Sequence, residues 1–90
     1  MARLADEEIR ARLQTCPGWE LAGNEIRKVY TFPDFKAAMA FVSEVADLAE
    51  SANHHPDILI NYSRVTLTLT SHDTGGLTER DFRLAGRIDG

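Results

Sequence analysis

Cysteine is nearly absent from this chain, long apolar runs are wholly absent, and its charge lacks a basic excess. The single Cys16 can form no internal disulfide and has no partner for a Cys-x-x-Cys redox or zinc motif. Beside Pro17 and Gly18 it reads as structural filler. The most apolar stretch, Ala37 to Ala49, is broken by Ser43, Glu44 and Asp47, far short of the about 20 apolar residues a membrane span requires. The opening Met-Ala-Arg-Leu-Ala-Asp-Glu-Glu lacks the apolar run of a signal peptide, so a cytoplasmic location is expected. With a formal net charge of -4 and only Arg27-Lys28 adjacent among the basic residues, the chain has little with which to neutralise phosphates, and direct nucleic-acid binding is set aside.

What remains is an ordinary globular composition, 43% hydrophobic and 27% charged, which predicts a packed core. Residues 1–90 form one domain, because a chain this short builds a single core. No internal repeat, low-complexity tract or linker interrupts it.

Seven elements can be read. Asp6 to Gln14 predicts a helix, with acidic residues in its first turn and Ile9 and Leu13 one turn apart. Trp19–Ala22 and Glu25–Phe32 predict a hairpin, joined at Gly23-Asn24, whose residue types tolerate the positive φ of a tight turn. Pro33-Asp34 introduces the longest helix, to about Ala52, started either by Asp34 as cap or by a Thr31-x-x-Asp34 capping box. On it Phe35, Ala38, Met39, Val42, Val45, Ala46 and Ala49 share one face, and Phe41, Leu48 and Ala52 widen it. The resulting arc exceeds the roughly 100° stripe that covers one core. Either the helix is deeply buried in its own domain, or the extra stripe meets another subunit.

Ile58, Ile60 and Tyr62 alternate with Asp57, Leu59 and Asn61 in a third strand, and after a turn at Asn61 to Arg64 a fourth sets Val65, Leu67 and Leu69 against Thr66, Thr68 and Thr70. If the extended conformation continues, His72 falls on the threonine face before Gly75-Gly76 ends the strand. Thr78 as N-cap with Asp81 three residues on opens a last helix, to about Ile88, with Leu77 stapled against Phe82. The order α-β-β-α-β-β-α predicts an α+β domain with helices packed on a four-stranded antiparallel sheet.

All three histidines lie between positions 54 and 72, and Glu50 stands four residues before His54. At a helix end that spacing stacks a carboxylate over an imidazole, fixing its tautomer for proton transfer near neutral pH. Pro56 disfavours helical geometry at His55 and tends to splay the two rings outward. For His55 and His72 the bland alternatives are a polar loop residue and a polar strand end. Tyr62 reads as core packing or as a wall of a substrate site. Asp81 reads as a helix cap or as a group approaching the histidines.

The pattern Glu50-x3-His54-His55-Pro56-x5-Tyr62-x9-His72-x8-Asp81 resembles the signature of the pterin-4a-carbinolamine dehydratase family at all seven positions. The similarity extends to Gly18-Trp19, Phe32, Asp34-Phe35 and Gly76-Leu77-Thr78-Glu79-Arg80-Asp81, and so spans nearly the whole chain. Departures fall at Ile58, where many relatives carry an aromatic residue, and at Ile60-Asn61-Tyr62, where many read Asn-Val-Tyr. The resemblance implies dehydration of a 4a-hydroxytetrahydropterin to the quinonoid dihydropterin, in support of tetrahydropterin recycling. It implies His54 and His72 as the acid/base pair, Glu50 tuning His54, and His55, Tyr62 and Asp81 on the substrate side. Neither a metal nor a cofactor is implied, and a homodimer or homotetramer is expected.

Two rival readings come from other classes. Three histidines with Glu50 and Asp81 could in principle hold zinc or iron, but adjacent histidines seldom face one ion and no His-x3-His pair is present. A pterin-binding, dimerisation or coactivator module with little turnover is the second, since animal members of the family also act as cofactors of a transcription factor.

Overall fold

Alternation is most regular over residues 64–69, and this segment becomes a central strand. The computed structural model describes residues 3–90 as α1 (Asp6–Leu13), β1 (Glu20–Ala22), β2 (Glu25–Thr31), α2 (Phe35–Ala52), β3 (Asp57–Asn61), β4 (Arg64–Leu69) and α3 (Glu79–Asp89), with one 3-10 turn, His72–Thr74, before α3. The strands form the single four-stranded antiparallel sheet that the element pattern predicts, and the structure orders them β1-β2-β4-β3.

One face of the sheet carries the core. Ile26 from β2 and Val65, Leu67 and Leu69 from β4 are fully buried there, with Ala38, Val45 and Ala49 of α2 and Phe82, Leu84 and Ala85 of α3. Each of the larger side chains among them, the Ile, Val, Leu and Phe residues, contributes about 1.5–3 kcal/mol by leaving water. Cys16 is buried in the same core, as a filler residue should be. Asp34 caps α2 by accepting the Ala37 N–H at 2.8 Å, which decides between the two starts that the sequence permits.

The α2 face divides. Phe41, Val42, Leu48 and Ala52 pack partly against the core, whereas Phe35 and Met39 remain 48% and 38% exposed. The domain's own core therefore covers only part of the apolar arc.

Tyr62 corrects the sequence reading. Of its two sequence readings, core packing rests on its place beyond Ile58 and Ile60, but β3 ends at Asn61, which pairs with Arg64 across a two-residue turn. Such tight turns demand positive φ. Tyr62 adopts φ 53° there and swings into solvent, 69% exposed.

Candidate active site at the end of the long helix

The site begins with how α2 stops. Asn53 takes the left-handed conformation at φ 50°, ψ 41°, the His54 N–H donates to the Ala49 carbonyl at 3.1 Å, and the Asn53 N–H donates to the Glu50 carbonyl at 3.2 Å. This is the Schellman closure, which satisfies the last carbonyls of a helix and reverses the chain. It also overturns the expected stacking of Glu50 on His54. A one-turn pair requires helical geometry through both residues, and the left-handed Asn53 removes it. Glu50 instead meets His55, with Oε2 2.5 Å from Nε2, on the exposed side of the helix end.

His54 turns inward. Its side chain is 10% exposed, and its Nε2 lies 2.5 Å from Oδ1 of Asp81, which is completely buried at the start of α3. A carboxylate only accepts, so Nε2 is the donor and Nδ1 is left for other chemistry. Asp81 Oδ2 accepts two further bonds, each 2.9 Å, from the Thr78 N–H and from Ser71 Oγ. With its one proton given to Asp81, Ser71 Oγ must accept from Thr78 Oγ1, 2.9 Å away. Thr78 and Asp81 form the reciprocal capping box read from sequence. The two readings of Asp81, cap and neighbour of the histidines, are both realised, one by each oxygen.

His72 reaches the same end of the sheet by another route. The register pairs Asp57 with Thr68, so the segment before β3, which holds His54 and His55, and the segment after β4, which holds His72, leave the sheet together. Extended conformation does not carry His72 there, contrary to expectation. Ser71 and Gly76 bridge each other, with N···O distances of 3.2 and 3.3 Å, and Gly75 at φ 72° closes a 3-10 turn in which His72 is exposed. The chain His54–Asp81–Ser71 thus links the first histidine to the residue preceding the third. Tyr62 lies at the opposite end of the β3–β4 hairpin and is not brought to this cluster within one chain.

Two hollows flank the cluster. One, of about 150 Å³, is lined by Ala52, His54, Arg80, Arg83, Leu84 and Arg87. The other, wider and about 460 Å³, includes Asn24, Thr70, His72 and Gly75 in its lining. Among the described residues, no three His, Cys, Asp or Glu side chains are grouped to hold a metal ion. No helix among them is long and apolar enough to cross a membrane.

Ser71 and the three arginines escaped the sequence reading, yet both left a signal. Residues 65, 67, 69 and 71 share one parity, so a serine at the fourth inward position marks a buried hydroxyl needing a partner. Arg80, Arg83 and Arg87 follow the i, i+3, i+7 spacing of one helix face.

Comparison with known proteins supplies a context for this geometry. The profile of the family described as Pterin 4 alpha carbinolamine dehydratase matches residues 2–90. Relatives whose names carry pterin-4-alpha-carbinolamine dehydratase come from Roseiflexus sp. (strain RS-1), 58% identical over 97% of this chain and 94% of the relative, and from Thermomicrobium roseum, 54% identical over 98% and 95%. A crystal structure described as a transcriptional coactivator/pterin dehydratase from Brucella melitensis superposes with a TM-score of 0.92 at 32% identity, covering 97% of this chain and 95% of that one. A pterin dehydratase-like protein described as a RuBisCO assembly factor in the alpha-carboxysome aligns at a TM-score of 0.64 and 25% identity, over 79% and 82%.

Proposed function

The chain belongs to the pterin-4-alpha-carbinolamine dehydratase family, and on that premise we propose that it is a hydro-lyase converting a 4a-hydroxytetrahydropterin to the quinonoid dihydropterin by histidine acid/base catalysis. Such an activity would return the pterin to its recyclable form. The observation that carries the reading is the buried His54–Asp81 pair, which holds one imidazole nitrogen and frees the other.

The reaction requires only proton management. An acid protonates the 4a oxygen as the C4a–O bond breaks and water departs, and a base takes the N5 proton as the C4a=N5 bond forms. His54 and His72, arriving from different segments at one end of the sheet, fill these two roles. His55, braced by Glu50, orients the pterin. The positioning role first assigned to Glu50 passes to Asp81, whose three donors fix the carboxylate and therefore the ring.

Rapid mixing of the purified protein with a 4a-hydroxytetrahydropterin tests substrate and reaction together. His54→Ala and His72→Ala should each lower the rate by about 10²-fold or more with the fold retained. Full activity in the double variant would sink the proposal.

A second reading, a pterin-binding or coactivator module assembled as a homodimer or homotetramer, is favoured by one observation: Phe35 and Met39 lie one turn apart and uncovered on α2. It is compatible with catalysis. Pterin binding without acceleration of dehydration would single it out.

A further inference from the structure

The basic residues look scattered along the sequence, but the fold collects three of the ten, Arg80, Arg83 and Arg87, with His54 around one hollow of a chain whose net charge is -4. The grouping is locally unfavourable. Like charges one turn apart repel, and Arg80 sits in the first turn of α3, where the helix dipole already presents positive charge. Neighbouring acids offset the group only in part. Asp73 meets Arg80 at 2.6 Å, and Glu79 lies 3.9 Å from Arg83 while also meeting Arg12. Among the described residues Arg87 meets no carboxylate, only Ser51 Oγ at 3.3 Å, and the buried Arg80 Nε has no acceptor.

Ala52 and Leu84 complete the lining with apolar surface. At about 150 Å³ the hollow is smaller than the roughly 300 Å³ and above of sites that enclose a drug-sized ligand. It suits a substituent.

We propose that this hollow is a subsite for an anionic group, foremost a phosphate, on the side chain of the pterin, so that the preferred substrate is a pterin with a phosphorylated rather than a neutral tail. The inference rests on the reading that His54 handles the pterin ring. A ring placed at His54 can send its side chain between Arg83 and Arg87, where guanidinium groups give charge-assisted bonds to phosphate oxygens.

The test uses three dihydropterins that share a ring and differ at the end of the side chain: hydroxyl, phosphate or carboxylate. Each is titrated calorimetrically into wild-type protein and into an Arg83→Gln/Arg87→Gln double variant whose circular dichroism matches wild type. Turnover of a neutral-tailed 4a-hydroxytetrahydropterin is followed in parallel. The phosphate compound should bind wild type about tenfold or more tightly than the hydroxyl compound, with the advantage lost in the double variant and weakened by salt. A preference for the carboxylate compound, lost in the same variant, would keep the anionic tail and identify its group. Equal binding of all three, or a preference that survives the double substitution, overturns the inference even if the neutral substrate turns over. Absence of both turnover and pterin binding overturns the functional reading itself, and this inference with it.

Discussion

Asp81 does two jobs with two oxygens, and the jobs can be separated. Oδ2 closes the capping box of α3, while Oδ1 holds His54. Asp81→Asn keeps an oxygen for the cap but places an amide, a donor, within reach of the ring, so His54 loses its acceptor or its tautomer is inverted. We expect the dehydration rate to fall about 10²-fold, with a loss of stability of about 1–3 kcal/mol from the disturbed buried network. Thr78→Ala is the counterpart: it weakens the cap by about 1 kcal/mol and leaves the His54 contact in place. A Thr78→Ala variant as slow as Asp81→Asn would show that the carboxylate acts only through helix α3. Glu50 should matter far less. It and His55 are both mostly exposed, side chains 76% and 56%, where an ion pair is screened by water. Glu50→Gln should leave unfolding unchanged within about 0.5 kcal/mol and alter KM more than kcat, since His55 orients rather than transfers protons.

At the scale of elements, the end of α2 decides which histidine meets which carboxylate. Asn53 holds φ 50°, a conformation that costs a residue with a Cβ and no local polar group about 1 kcal/mol. Asn53→Ala should therefore lower the unfolding midpoint by about 4–8 °C, and Asn53→Gly should preserve or raise it. Equal midpoints for the two would mean that the left-handed turn is not required. This turn also marks where the sequence stopped being legible. Alternation at Val65–Leu69 and the Thr78–Asp81 spacing each disclosed a strand or a helix start, because their signals are local and periodic. The Glu50–His54 spacing misled because its meaning depends on whether the helix continues for one more residue, and Asn53 ends it. Tyr62 misled for the same reason, one residue past the end of β3. His54–Asp81 spans 27 positions and has no periodic trace, since only the packing of α3 against α2 creates it.

Taken as a whole, the molecule is closed by Asp89 at the far end of α3. Its carboxylate accepts the Trp19 indole N–H at 2.9 Å, Lys28 Nζ at 3.1 Å and the Tyr30 hydroxyl at 2.5 Å, and so ties the last helix to β2 and to the residue just before β1. Lys28 also lies over the Tyr30 ring and donates to the Pro17 carbonyl at 3.0 Å, so one cation braces the loop before β1 as well. Burial opposes ionisation of Asp89, but hydrogen bonds from Tyr30, Trp19 and Lys28 outweigh it and hold the carboxyl below its ordinary range. The Tyr30 hydroxyl is driven the other way, above its usual value, by burial and by the adjacent carboxylate. A carboxyl depressed on folding contributes stability above its unfolded pKa of about 3.9 and loses it as the pH falls through the folded value. Asp89→Asn should thus cost about 1–3 kcal/mol in urea unfolding at pH 7, with the gap to wild type narrowing below about pH 4. A gap that stays constant with pH would show that the side chain acts by shape alone. Because Asp89 anchors the end of α3 remote from Asp81, the same variant should lose stability without the rate loss of Asp81→Asn. Closure of the fold and preparation of His54 are thereby assigned to opposite ends of one helix.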